Sequence, residues 1–148
     1  MKRLLLLLLI PTLSYSQTFE DIMKITSERN FKITMIENGY QKLIEHSTDS
    51  MIVYGLNYSN FLDIEKVDKM GVYKKQSDIH LVMITDTEQI DYKTITEKIK
   101  KDCDFNDVID FKGYDYLSYN CSQSKVLIGF TVTESGGEII NFHKSTEE

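Results

Sequence analysis

Asp102, Asp104 and Asn106 stand at alternate positions of Asp102-Cys103-Asp104-Phe105-Asn106-Asp107, the spacing with which an EF-hand loop begins to wrap calcium. The pattern stops there. Such a loop needs glycine at its sixth position and a bidentate glutamate at its twelfth, and this chain has Asp107 and Gly113. A solvated acidic turn after a helix is the plainer reading, with these three as weak calcium ligands and no resident cofactor expected. His46, His80 and His143 show neither His-x-x-x-His nor Cys-x-x-Cys partners, so no zinc spacing exists. His46 with Asp49 and Ser50 assembles a nucleophile, base and acid on paper. Catalysis also needs an oriented base and an oxyanion pocket, and no Gly-x-Ser-x-Gly marks one. His80 lies between Ile79 and Leu81 in an alternating stretch and is expected to face solvent.

Two further groups carry chemistry. Cys103 and Cys121 are the only cysteines, and an even count in an exported chain reads as a bridge. A redox role is disfavoured, because Asp102 and Asp104 flank Cys103 and oppose the thiolate that reactivity requires. Tyr114, Tyr116 and Tyr119 gather in one strand region, where Tyr114 and Tyr116 share a face and offer contact area with polar tips to a partner. The alternative is that they are ordinary tyrosines at the margin of a core.

The export premise comes from the first residues. Met1-Lys2-Arg3, the apolar run Leu4 to Ile10 and small residues Ser14 and Ser16 before Gln17 have the layout of a secretory signal peptide. Leu4 to Leu13 as a helix would rise about 15 Å, half of the roughly 30 Å of a hydrocarbon core. Cleavage is therefore expected after Ser16, leaving one domain over residues 17–148 with no membrane span. Loss of Lys2 and Arg3 leaves 15 basic against 23 acidic residues. That balance excludes nucleic acid as a natural partner, since phosphate binding relies on clustered Lys and Arg. The one basic cluster, Lys98, Lys100 and Lys101, reads as a solvated helix face.

Periodicity supplies the elements that must position these groups. Thr18 and Ser27 are plausible N-caps, and residues 18–38 read as helical, ended by Asn38-Gly39. Alternation of Phe31, Ile33 and Met35 keeps a strand in competition over 31–36. Gln41–His46 and Met51–Leu56 read as a hairpin; residues 57–70 have no clear period; Val72-Tyr73 and Ile79–Ile84 read as a second strand pair. Asp91 is expected to cap an amphipathic helix whose Tyr92, Ile95, Ile99 and Cys103 form one face. Strands are expected at 108–111, 114–121, 125–133 and 138–142, with turns at Ser122–Ser124 and Ser135–Gly137. Together these predict an α+β domain: a mostly antiparallel sheet with an N-terminal helical segment and one central helix packed on one face, pinned by the Cys103–Cys121 bridge.

The leader ending Ser14-Tyr15-Ser16-Gln17, the early Phe19-Glu20-Asp21-Ile22 helix, Glu37-Asn38-Gly39-Tyr40 and the cysteine pair around an Asp/Tyr-rich strand together resemble small exported proteins of Bacteroidetes-type bacteria. The resemblance implies no activity and assigns no site residue. The functional expectation is a non-enzymatic, exported (periplasmic or secreted) module that binds a protein, peptide or envelope component. A small hydrolase or lyase built on dispersed His and carboxylate groups, and a calcium-stabilised structural domain, are the alternatives.

Overall fold

The computed structural model describes residues 17–56, 67–76, 79–121 and 126–144. The expected leader, most of the stretch 57–70 that has no clear period, and the expected turn at Ser122–Ser124 lie outside these. Helix α1 (Phe19–Met23) opens with a reciprocal capping box between Thr18 and Asp21, and α2 (Glu28–Glu37) is capped by the Ser27 side chain. The helix/strand competition over 31–36 is decided by burial. Phe31, Thr34 and Met35 are buried at i, i+3, i+4, while Ile33 and Ile36 stay exposed. Gly39, with φ of 79°, turns the chain out of α2 in the left-handed conformation that glycine adopts without strain.

Eight strands follow: β1 (Gln41–Lys42), β2 (Met51–Leu56), β3 (Lys69–Gln76), β4 (Ile79–Asp86), β5 (Asp104–Phe111), β6 (Tyr114–Cys121), β7 (Val126–Thr133) and β8 (Gly136–Lys144). Helix α3 (Ile90–Asp102) separates β4 from β5. All pairings are antiparallel and form one sheet of order β1-β2-β3-β4-β8-β7-β6-β5. Two four-stranded meanders thus meet at β4 and β8, with α3 as their covalent link. The α+β class stands. The main core draws Ile22, Phe31 and Met35 from the first two helices, Tyr92, Ile95 and Ile99 from α3, and Tyr73, Val82, Ile128 and Ile139 from the sheet. A smaller cluster of Leu43, Val53, Val67 and Val72 lies apart, with Met51, Met70 and Met83 against it.

Three local expectations are corrected. The predicted strand Gln41–His46 stops at Lys42, and Ile44–His46 forms a short 3-10 turn. Ser47 causes the break by acting as a strand substitute: its Oγ accepts from Val53 N–H at 3.0 Å and donates to the Leu43 carbonyl at 2.8 Å. Asp91 does not cap α3, which starts at Ile90, two residues earlier than an Asp91 cap would set it, behind Gln89 with φ of 58°. The capping role passes to Asp86 at the end of β4, whose Oδ2 accepts from Tyr92 N–H at 3.1 Å. His80, expected in solvent, is 8% exposed. It shares its parity with Val82, Ile84 and Asp86, and it is that side of β4 which is buried most completely.

Candidate interaction surface

Strand β5 is the outermost strand of the second meander, paired only with β6 among the described residues. The sheet leaves its eight residues exposed or half-buried throughout. Register places Phe105 opposite Tyr119 and Val108 opposite Leu117. Phe105 packs edge-on against Tyr119, which in turn stacks on Phe130. Phe105, Val108 and Leu117 therefore continue the core face outward, at 57%, 48% and 38% exposure. Next along this face Asp110 sits directly opposite Asp115, and both are exposed. Like charges facing across strands oppose pairing, so this end of the hairpin holds negative potential at a local cost.

The inner end of β5 carries an irregularity between Phe105 and Asp107. Ser118 holds it together. Its Oγ meets Asp107 N–H at 3.2 Å and the Asp107 carbonyl at 2.7 Å, and accepts from Asn106 Nδ2 at 3.1 Å. Asn120 Nδ2 donates to Asn106 Oδ1 at 3.0 Å. The three calcium candidates accordingly point into different environments. Asp102, ending α3, pairs with Lys98 at 2.8 Å; Asn106 is engaged by Ser118 and Asn120; Asp104 begins an extended strand instead of a ligand loop. Among the described residues no group of three His, Cys, Asp or Glu side chains is placed to hold a metal ion.

The tyrosines separate. Tyr114 remains open at 39% exposure, whereas Tyr116 and Tyr119 are buried at 1% and 9%. Tyr116 donates to Glu138 Oε2 at 2.5 Å, and its hydroxyl titration is pushed upward by burial and by that carboxylate. A shared phenolic face of Tyr114 and Tyr116 is not formed, because the meander covers the second ring. The cysteines do meet. Cys103 at the end of α3 and Cys121 at the end of β6 lie at disulfide distance, S–S 2.07 Å and Cα–Cα 4.6 Å.

Among the described side chains, His46 and His80 stand on separate elements. His46 stands on the 3-10 turn, and His80 is opposite His143 in the β4–β8 ladder. His80 Nδ1 is 2.6 Å from the Tyr73 hydroxyl, a pairing that sequence parity alone did not reveal. Burial lowers the His80 pKa, assisted by Lys75 and opposed by Glu28, while burial pushes Tyr73 up to about 12. The pair is thus neutral imidazole with neutral phenol near pH 7. A groove of about 360 Å³ between α1 and α3 is lined by residues including Phe19, Glu20, Glu97, Lys98 and Lys101, with no histidine among the described residues.

A second polar group was missed from sequence because its members are far apart along the chain. Gln17 N–H donates to Asp91 Oδ2 at 2.9 Å, and Lys69 Nζ pairs with the same oxygen. Tyr40 hydroxyl donates to Gln17 Oε1 at 3.2 Å. Gln17, Asp86 and Asp91 are 3%, 3% and 6% exposed. They border a cavity of about 10 Å³, room for no ligand larger than a water.

Comparison with family models, curated proteins and solved structures finds no match to this chain. Among the described residues no helix is long and apolar enough to cross a membrane.

Proposed function

We propose that the protein is an exported binding module that takes up an extended, basic segment of a partner protein or peptide along β5. The carrying observation is the coincidence, on the outer hairpin of β5 and β6, of a β5 edge to which no further strand is paired among the described residues, the apolar row Phe105, Val108 and Leu117, and the opposed carboxylates Asp110 and Asp115. Strand addition draws affinity from main-chain hydrogen bonds and specificity from alternate side chains. A segment alternating apolar and cationic residues satisfies the row and the carboxylates together.

The same edge resists a second copy of this chain. Exposed Asp104, Asp107 and Asp110 on β5 repel an identical strand, and the irregularity at Asn106 disturbs its ladder. Self-pairing is thereby disfavoured while a basic partner is not.

A fluorescent alternating Lys-Val peptide of strand length tests this by polarisation against the mature domain. Saturable binding that weakens with salt is expected, with an alternating Glu-Val peptide failing to bind. Reversal of both Asp110→Lys and Asp115→Lys should weaken the Lys-Val peptide about tenfold or more, the equivalent of about 1.4 kcal/mol. Equal binding of the two peptides, or indifference to the reversal and to Phe105→Ser with Val108→Ser, would refute the β5 site.

A further inference from the structure

The methionines are unevenly placed. Met51, Met70 and Met83, half of the chain's six, lie on β2, β3 and β4 on the side opposite the main core, packed against the cluster of Leu43, Val53, Val67 and Val72. Register explains the grouping. Val53 stands opposite Val72 and Val72 opposite Met83, while Met51 and Met70 each lie two residues along their own strand from that row, on the same face. All three are half-buried, whereas Met35 on the main core is 0% exposed.

This cluster fastens the segment after β1 onto β2. Leu43 N–H donates to the Val53 carbonyl at 2.8 Å, and Leu43 and Val67 close over Gly55 so tightly that a Cβ there would stand 3.2 Å and 3.0 Å from them. Strand β1 itself is two residues long. The hold on β2 therefore leans on apolar contact, and the thioethers border that contact. They are not a ligand set for one metal ion, because Met51 stands opposite Lys74, four residues and about 14 Å along β3 from Met70.

Each thioether is open to a two-electron oxidation. Hydrogen peroxide gives one oxygen to the sulfur: the O–O bond breaks, an S–O bond forms, the sulfur is oxidised, and the second oxygen leaves reduced, as water carrying both protons. The flexible apolar side chain becomes polar and chiral. A sulfoxide oxygen set against Leu43, Val53, Val67 and Val72 meets no donor from those side chains, and burying a polar group without a hydrogen bond is costly. The two cysteines are already joined to each other, so the thioethers are the reduced sulfur available to an oxidant.

We propose that Met51, Met70 and Met83 form a peroxide-modified site, whose conversion to sulfoxide loosens Leu43 and Val67 from β2 while leaving the main core closed. This goes beyond the β5 reading and does not rest on it, since β2 and β5 stand near opposite ends of the sheet.

The chain, expressed with its leader in an exporting host and purified, is treated with graded hydrogen peroxide and mapped by peptide mass spectrometry. Met51, Met70 and Met83 should gain oxygen first, and Met35 at least about tenfold more slowly, since a fully buried group waits on local opening. At that stage Tm should fall by about 5 °C or more. Amide exchange should speed at Leu43 and Val53 but not at Ile128 or Ile139, which belong to the main core. A Met51→Leu/Met70→Leu/Met83→Leu variant keeps volume and apolarity and should abolish the fall, whereas Met23→Leu should leave it in place. Oxidation of Met35 as fast as the other three, an unchanged Tm or exchange pattern once they are oxidised, or a fall that persists in the triple variant would overturn the proposal. If the triple variant does not fold, the order of oxidation and the exchange pattern of the native chain still decide it.

Discussion

Reducing the Cys103–Cys121 bond should release the β5–β6 hairpin before it releases the rest of the sheet. The cysteines are 18 residues apart. The loop-entropy relation for that length gives about 10.7 cal/mol/K, or roughly 3 kcal/mol at 25 °C. A domain of this size gains about 0.28 kcal/mol/K of entropy on unfolding, so the loss amounts to about 10 °C in Tm. The enclosed loop consists of β5, β6 and the turn between them. Of these β5 has a single strand neighbour among the described residues, whereas β3 and β4 are paired on both sides. Differential scanning calorimetry of oxidised and reduced wild type measures the first quantity without changing the sequence, and a Cys103→Ala/Cys121→Ala variant repeats it without reductant. Amide exchange measures the second: β5 should accelerate well beyond β3 and β4, and the Lys-Val peptide should bind the reduced form more weakly. A Tm drop below about 3 °C would refute the loop argument. Uniform acceleration of β3, β4 and β5 would refute the claim that the bond secures the hairpin.

The buried His80 gives stability a defined pH dependence. Its folded pKa is lowered, so the unfolded chain binds the proton more readily, and stability is full above about 6.5 and falls as pH drops from there toward the folded value. Urea midpoints at about pH 7.5 and pH 5 should differ more in wild type than in His80→Gln, and identical slopes would refute it. Ser47→Ala deprives Val53 N–H and the Leu43 carbonyl of a shared partner. A cost of about 1–3 kcal/mol in urea unfolding is expected, and a change below about 0.5 kcal/mol would show that the chain bridges the gap some other way.

Local physics made much of the fold legible. Phe31, Thr34 and Met35 in α2, and Tyr92, Ile95 and Ile99 in α3, fall on the faces that helical spacing assigns. The limits expected for β6 coincide with those observed, because Lys112-Gly113 and the end at Cys121 bracket it. Errors arose where an element's local pattern has two answers. Apolar residues line both sides of β4, so alternation does not say which side the helices cover, and the expectation of an exposed His80 fails for that reason. Asp91 has the type and position of a cap, yet a carboxylate from the preceding strand takes that role and Asp91 turns to Lys69 and Gln17. The β4–β8 junction and the outer position of β5 are non-local facts. Nothing in the spacing of Phe105, Val108 and Asp110 tells that β5 is the outermost of the described strands.

Helix α3 is the only covalent link between the meanders, and each of its ends is fastened by a different chemistry. At its start, Asp91 and the Asp86-capped Tyr92 N–H gather Gln17 and Lys69; at its finish, Cys103 joins Cys121. Thirteen helical residues separate these fastenings by about 20 Å, beyond the range over which perturbations usually couple directly. They also act on different elements. The first ties α3 to the N-terminal segment and to β3 and β4, and the second ties it to β6, whose hairpin presents the outer strand. Of the two, the second depends on thiol oxidation, which the reducing cytoplasm opposes. A chain with free thiols would keep the first fastening and lack the second. Under the proposed binding function, the hairpin that presents the acidic outer strand would then be fully secured only where its thiols are oxidised.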